Sequence, residues 1–237
     1  MNWLAFDTST DVLAIAVSRG ERVWAHRSAG GAQASLDGLP TIRRLMDEAG
    51  VGWRDLSAIV MGRGPGAFTG LRTACAMAQG LAWGAGLPVL PVDTLLAVAE
   101  QARHAHAGLD GIDRVLAVND ARMGQVYVAA YEHRADGWHT VAASALRAPD
   151  AVQVPDDWQG AAFGLAGNAW AEHGARVLPG RAAPRLSAWP DAQALLRLAP
   201  QAWARGQAVP PEQALPLYVR DQVAQTTAER ERARASA

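Results

Sequence analysis

Residues 62–72 read Gly-Arg-Gly-Pro-Gly-Ala-Phe-Thr-Gly-Leu-Arg, and no other stretch restricts the fold as strongly. Gly62, Gly64, Gly66 and Gly70 stand close together with Pro65 among them, so this segment is a turn, not part of a regular element. The residues before it, Ala58-Ile59-Val60-Met61, are short, apolar and partly β-branched, as in a buried strand. Those after it, Leu71 to Gly86, have helical length and spacing. Strand, glycine turn and helix in succession place backbone N–H groups at a helix N-terminus. That geometry serves either to receive a phosphate or to hold a partner's backbone.

Between Leu71 and Gly86 only Arg72, Thr73 and Gln79 are polar. Leu71, Ala74, Ala78, Leu81 and Ala85 form one apolar face; Thr73, Met77, Gly80 and Gly84 form another, rich in small residues. A helix apolar nearly all round is expected to be buried on both sides. Gly80 and Gly84 each cost about 0.5–1 kcal/mol relative to alanine, and close packing of a second helix is the usual compensation. That second helix belongs to this subunit or to another; a helix enclosed within its own domain satisfies the pattern equally. Arg72 opposes the helix dipole in the first turn, so a carboxylate, phosphate or carbonyl partner is expected for it.

Along the rest of the chain, Trp3 to Phe6 reads as a strand delivering Asp7-Thr8-Ser9-Thr10, followed by a second strand from Val12 to Val17. Together they make a hairpin whose tip presents hydroxyl and N–H groups, although Asp, Ser and Thr are also ordinary turn residues. Arg22 to Arg27 forms a third strand. Ser35 is placed to cap a helix running to Ala49, with Pro40 near its first turn and Gly50 as its stop. Leu87 to Val92 is a strand, and Asp93 caps a helix ending near His104. The glycine-containing break at residues 107–111 marks a domain boundary: residues 1–107 form an N-terminal α/β lobe and 108–224 a C-terminal one, with a polar tail over 225–237. The second lobe repeats the first in outline. Strands are expected over 114–118, 125–132 and 138–144, with Asn119 to Gly124 as the polar turn. A short strand then ends at Phe163-Gly164, a helix follows from Gly167 to His173, and Asp191 to Arg205 is a longer helix that Pro200 kinks or divides.

Composition removes several classes of function. The net charge is −1, which disfavours stand-alone binding of a polyanion. Cys75 is the single cysteine, excluding an internal disulfide and any multi-cysteine zinc site. All 22 basic residues are arginine, so Schiff bases, lysine general bases and the P-loop lysine are excluded. None of the six histidines stands four residues from another, and no metal site is expected. With neither a leader pattern nor a bilayer-length apolar run, the chain reads as a soluble, cytoplasmic protein.

Four motifs then occur in order: Leu4-Ala5-Phe6-Asp7-Thr8-Ser9-Thr10; the glycine loop 62–72; Asp120-Ala121-Arg122-Met123-Gly124-Gln125-Val126-Tyr127; and Pro216-Leu217-Tyr218-Val219-Arg220. In this combination the chain resembles the bacterial TsaB (YeaZ) family of tRNA threonylcarbamoyladenosine biosynthesis proteins, once labelled glycoprotease-like. The resemblance covers nearly all of the chain except the tail. It implies a two-lobed actin-like ATPase (ASKHA) fold, an α/β architecture of mixed sheets flanked by helices. It also implies an accessory role, not a catalytic one: pairing with the catalytic homologue TsaD, in an assembly with the ATPase TsaE, to place threonylcarbamoyl on the tRNA adenosine next to the anticodon. Homodimers are implied as well, and tRNA is met through the complex. The family's pairing surface uses the first two helices, which here offer Leu39, Ile42, Leu45, Met46, Thr73, Met77, Gly80 and Gly84. The loop residues carried over are Gly64, Pro65, Gly66, Phe68, Thr69, Gly70 and Arg72. Ala67 departs from the pattern, which commonly has serine there, so a hydroxyl at this position is neither nucleophile nor phosphate ligand.

The alternative is a nucleotide-binding actin-like ATPase or kinase-type enzyme. The loop lacks Gly-Lys-Thr and, with Thr69 where a third glycine is required, also fails Gly-x-Gly-x-x-Gly. Asp7, Thr8, Ser9, Asp120 and Arg122 are the residues that would still face a nucleotide, Asp7 and Asp120 sharing a hydrated magnesium from the two lobes. No cofactor is expected to be required; ATP with magnesium would bind weakly or at the heteromeric interface. The catalytic homologue's His-x-x-x-His metal motif is absent, which speaks against a metallopeptidase.

Overall fold

The computed structural model describes residues 1–105 and 111–220. The expected polar tail and most of the expected domain break lie outside this range. The first half forms a five-stranded sheet from β1 (Trp3–Asp7), β2 (Val12–Arg19), β3 (Arg22–Ala29), β4 (Ala58–Gly62) and β5 (Val89–Val92), in the order β3-β2-β1-β4-β5. The hairpin strands pair antiparallel, whereas β1, β4 and β5 run parallel. The second half builds the same pattern from β6 (Arg114–Arg122), β7 (Gln125–Arg134), β8 (Gly137–Arg147), β9 (Gly164–Gly167) and β10 (Arg185–Ser187), ordered β10-β9-β6-β7-β8. A three-strand meander followed by two parallel additions thus occurs twice. This is the two-lobed actin-like fold, and the repetition in outline expected of the second lobe is real at the level of topology.

Among the described residues five α-helices flank the sheets: α1 (Ala32–Ala49), α2 (Phe68–Ala85), α3 (Thr94–Ala105), α4 (Trp170–His173) and α5 (Ala192–Ala204). The period-2 alternation of the central strands sorts their side chains into two layers. Leu4, Phe6, Leu13, Ile15, Ile59 and Met61 face α1 and α2. Trp3, Ala5, Ala14, Ala16 and Val60 face the opposite way, into a layer holding α3 and α5. From the other side Val115, Ala117, Ala129 and Ala166 of the second sheet close on that layer. Alanine dominates both inward faces because two helices lie between two sheets there and bulky side chains would hold the layers apart.

The two halves exchange helices across this layer. The α3 helix packs on β6, β7 and β9 of the second sheet, whereas α5 packs on β1, β2, β4 and β5 of the first. Glu100 on α3 joins them: its carboxylate pairs with Arg197 of α5 and accepts a 2.9 Å bond from Trp138 Nε1 of β8. The lobes therefore share a core, a feature that a division of the sequence at residue 107 does not convey.

Several local expectations are corrected. α1 begins at Ala32 after Gly31, ahead of Ser35, and Pro40 lies inside the helix. The short strand expected to end at Phe163-Gly164 forms instead at Gly164–Gly167, the helix expected from Gly167 starts at Trp170, and β10 was not anticipated. Pro200 is accommodated inside α5, which runs unbroken from Ala192 to Ala204 with Asp191 capping it through Gln193 N at 2.7 Å.

Candidate functional site

The four sequence motifs converge on a cleft of about 440 Å³ between the lobes. Its walls are the β1–β2 turn, the glycine loop, the β6–β7 turn and residues 217–220.

On the N-terminal side the hairpin tip and the glycine loop fill each other. Asp7 is 1 % exposed. Its Oδ1 accepts from Ser9 N at 2.8 Å and Ser9 Oγ at 2.6 Å, and its Oδ2 accepts from Thr94 Oγ1 at 3.0 Å. Thr94 Oγ1 in turn accepts from Gly64 N at 3.0 Å. Burial pushes the Asp7 carboxyl above its ordinary value, against the opposing pull of the Ser9 and Thr94 hydrogen bonds. Thr8 Oγ1 donates to Gly70 O at 2.7 Å, and Ala67 N donates to Ser9 O at 2.7 Å.

The glycines follow from this close approach. A Cβ at Gly70 would stand 1.9 Å from Thr8 O, and one at Gly66 would stand 2.5 Å from Ser9 O. The loop therefore receives this chain's own backbone, where a phosphate cradle was one of the two readings. Asp7 and Thr8 are corrected accordingly: both are buried away from the cleft, and the Asp7 carboxylate is spent on the loop instead of facing a nucleotide, whereas Ser9, though buried, still borders the cleft. An Asp7–Asp120 magnesium pair across the lobes has no support in this geometry.

Arg72 also finds a different partner from the one expected. Its guanidinium carbon lies 3.9 Å from the centroid of the Phe68 ring, and its Nε donates to Tyr218 Oη at 3.3 Å. Phe68 and Tyr218 contact each other with centroids 5.4 Å apart. The cation is held by an aromatic pair, which offsets its unfavourable place at the helix start. Residues 214–220 are tied down on both lobes. Ala214 O accepts from Cys75 Sγ and Gln79 Nε2, Leu217 N donates to Arg63 O at 2.7 Å, and Arg220 Nη2 donates to Ala121 O at 2.9 Å.

On the C-terminal side the β6–β7 turn places Met123 and Gly124 at φ 55° and 70°, a two-residue geometry matched to strand twist. Arg122, at φ 62°, precedes them beside a register shift. Asp120 is held in the cleft wall. Its backbone N donates to Asn168 Oδ1 at 2.8 Å, and its Oδ1 accepts from Arg122 N at 2.9 Å. His173 Nε2 lies 3.2 Å from the same Oδ1. Sequence reasoning missed Asn168, Glu172 and His173, because Asp120 and His173 are 53 positions apart and no spacing motif links them.

A second surface lies on the outer face of α1 and α2. Leu36 is 69 % exposed, Leu39 50 % and Trp83 72 %. Ala76, Gly80 and Gly84 of α2 are exposed too, and a Cβ at Gly80 or Gly84 would meet no heavy atom within 4 Å. The expectation that α2 is buried all round is thus corrected: it is covered by the sheet on one side and open on the other. Of the eight residues expected at a partner surface, Leu39, Gly80 and Gly84 are exposed and Thr73 and Met77 are half-buried. Ile42, Leu45 and Met46 are corrected, because they point into the core beneath α1. Leu36 and Trp83 were not anticipated as exposed. Among the described residues no helix is long and apolar enough to cross a membrane.

Comparison with known proteins agrees with this architecture. The family model described as TsaD, tRNA N6-adenosine threonylcarbamoyltransferase, matches residues 33–178, more than half of the chain. The tRNA threonylcarbamoyladenosine biosynthesis protein TsaB of Escherichia coli K12 is 36 % identical over 231 residues, spanning 94 % of this chain and 96 % of that one. The TsaB of Bacillus subtilis is 34 % identical over 135 residues, 56 % of each chain. YeaZ from Pseudomonas aeruginosa superposes with a TM-score of 0.83 at 39 % identity, covering 92 % of this chain and 99 % of that structure. Likeness along almost the full length, in both sequence and backbone, makes this chain a member of the TsaB (YeaZ) family.

Proposed function

We propose that this chain is a non-catalytic partner subunit in tRNA threonylcarbamoyladenosine synthesis, docking the catalytic homologue TsaD in an assembly that also holds the ATPase TsaE. The observation that carries the reading is the open apolar face of α1 and α2. Gly80 and Gly84 leave α2 open beside the exposed Trp83, and α1 adds the exposed Leu36 and Leu39, so a partner helix can approach the α2 backbone closely while large side chains of both helices supply apolar contact. A specific interface buries about 800 Å² per partner, which two helices of this length can supply. The same face serves self-association, so the homodimer and the heterodimer compete for it. tRNA is met through the complex, in the cytoplasm.

The chain's own chemistry is limited in this reading. The Asp7 carboxylate is buried and fully engaged, and no cofactor is required. ATP with magnesium binds the isolated chain weakly, or lodges only where this chain meets the catalytic homologue. The test is sedimentation of a Trp83→Asp variant mixed with the catalytic homologue. Loss of the complex with the fold retained supports the reading, and undiminished pairing refutes it.

A further inference from the structure

We propose that Asp120, Glu172 and His173 form a site for a first-row divalent transition-metal cation on the C-terminal wall of the interlobe cleft. This goes beyond the accessory role and does not depend on it. The three side chains come from two separate elements, the end of β6 and the short helix α4. One ligand atom of each lies within 4.8 Å of the others. His173 is 3 % exposed, and its Nε2 is turned towards the Asp120 carboxylate at 3.2 Å. Adjacent donors on a metal with bonds of about 2.0–2.2 Å stand roughly 2.8–3.6 Å apart in octahedral or tetrahedral geometry. The His173–Asp120 separation is already that of two ligands sharing an ion.

The surroundings fit the same role. Asp120 is oriented from behind by Asn168 Oδ1 on its backbone N and by the Arg122 N–H on Oδ1. Asn168 is itself positioned through a 3.3 Å bond from its N to Asn119 Oδ1. Outer partners of this kind fix ligand orientation at metal centres. Holding the turn so costs left-handed backbone at two non-glycine residues, Arg122 and Met123. The Arg122 guanidinium, 3.4 Å from Asp120 Oδ2 and largely in solvent, is the group an incoming cation displaces. Glu172 is exposed and closes the site from the solvent side. Two carboxylates and one imidazole favour zinc, manganese or iron over magnesium, which prefers all-oxygen ligands. Asp120 is the ligand that borders the cleft, and the remaining coordination positions are filled by water or by an oxygen donor.

The test is calorimetric titration of the tag-free full chain with Zn²⁺, with Mg²⁺ alongside and circular dichroism to verify folding. The expected result is one Zn²⁺ per chain, no comparable Mg²⁺ binding, and affinity at least about tenfold weaker in Glu172→Gln and in His173→Gln. Because Glu172 is exposed, its variant keeps the fold and decides the matter even where His173→Gln fails to fold. Absence of one-to-one Zn²⁺ binding, or wild-type affinity in a folded variant, reduces the constellation to an Asp–His hydrogen bond and overturns the proposal. Pairing with the catalytic homologue is unchanged in Glu172→Gln, so the outcome is separate from that of the docking face.

Discussion

Replacing both Gly80 and Gly84 by leucine separates the folding role of α2 from its docking role, because the two effects have opposite sign. Within the chain a Cβ at either position meets nothing within 4 Å, so the substitutions create no clash. Each removes the helix-interior cost of glycine, worth about 0.5–0.8 kcal/mol when leucine replaces it. The pair should stabilise the isolated chain by roughly 1–1.6 kcal/mol, raising Tm by about 2–6 °C for a protein of this size. Docking should suffer in the same variant. Two leucines fill the notch and push a partner helix outwards by about 2 Å, the range between close and ordinary helix packing. Contacts made by Trp83 and Leu39 are then lost, and affinity for the catalytic homologue should fall at least about 100-fold, equivalent to roughly 2.7 kcal/mol. Differential scanning calorimetry and sedimentation velocity on the same preparation measure both. A lowered Tm would mean that the face is packed within this chain. Undiminished affinity would mean that the partner binds elsewhere. Either result refutes the reasoning.

Other perturbations follow from the site's geometry. Ala67 stands at the N-cap of α2 without a side-chain cap, so Ala67→Ser should add about 1 kcal/mol of stability in thermal unfolding. Asp7 has a folded-state pKa raised by burial, so the native state holds the proton more tightly than the unfolded chain. Its contribution is therefore fully present below the ordinary carboxylate value of 3.8 and is lost as pH rises through the raised pKa. Wild-type stability relative to Asp7→Asn should accordingly increase as pH falls through that window, measured by urea unfolding across pH; a flat difference would contradict the assignment. Arg72→Ala removes the stack on Phe68 and the bond to Tyr218, and should cost about 0.5–1 kcal/mol in the same unfolding assay.

The legible parts of this protein were those specified by local pattern. β1, β4, α2 and α5 each carry their own periodicity, and the glycine loop announces a turn whatever surrounds it. The repeated strand–Asp–turn pattern also pointed to two related halves. What the pattern could not convey was which apolar stripe faces inward. In α1, Leu36 and Leu39 continue the same spacing as Ile42, Leu45 and Met46, yet only the last three meet the sheet. In α2 an all-round apolar composition fits a buried helix and a helix awaiting a partner equally well. Asp7 looked available because an Asp-Thr-Ser turn is normally solvated; its carboxylate is instead packed against Gly62, more than fifty residues away, while Gly66 and Gly70 close over Ser9 and Thr8. The Asp120–Glu172–His173 group was invisible for a similar reason: two of its members are neighbours in sequence and the third arrives only through sheet pairing. The exchange of α3 and α5 between the sheets is likewise a tertiary feature with no local signature.

The central claim is that this chain supports catalysis by another subunit and performs none itself. The direct measurement is threonylcarbamoyl transfer to tRNA in a reconstituted mixture of the catalytic homologue and the ATPase, with this chain present, omitted or replaced by the Gly80→Leu/Gly84→Leu variant. The account predicts full transfer only with the wild-type chain, none from the chain alone, and loss of transfer with the docking variant. Transfer by this chain without the homologue, or undiminished transfer when it is omitted, would contradict it.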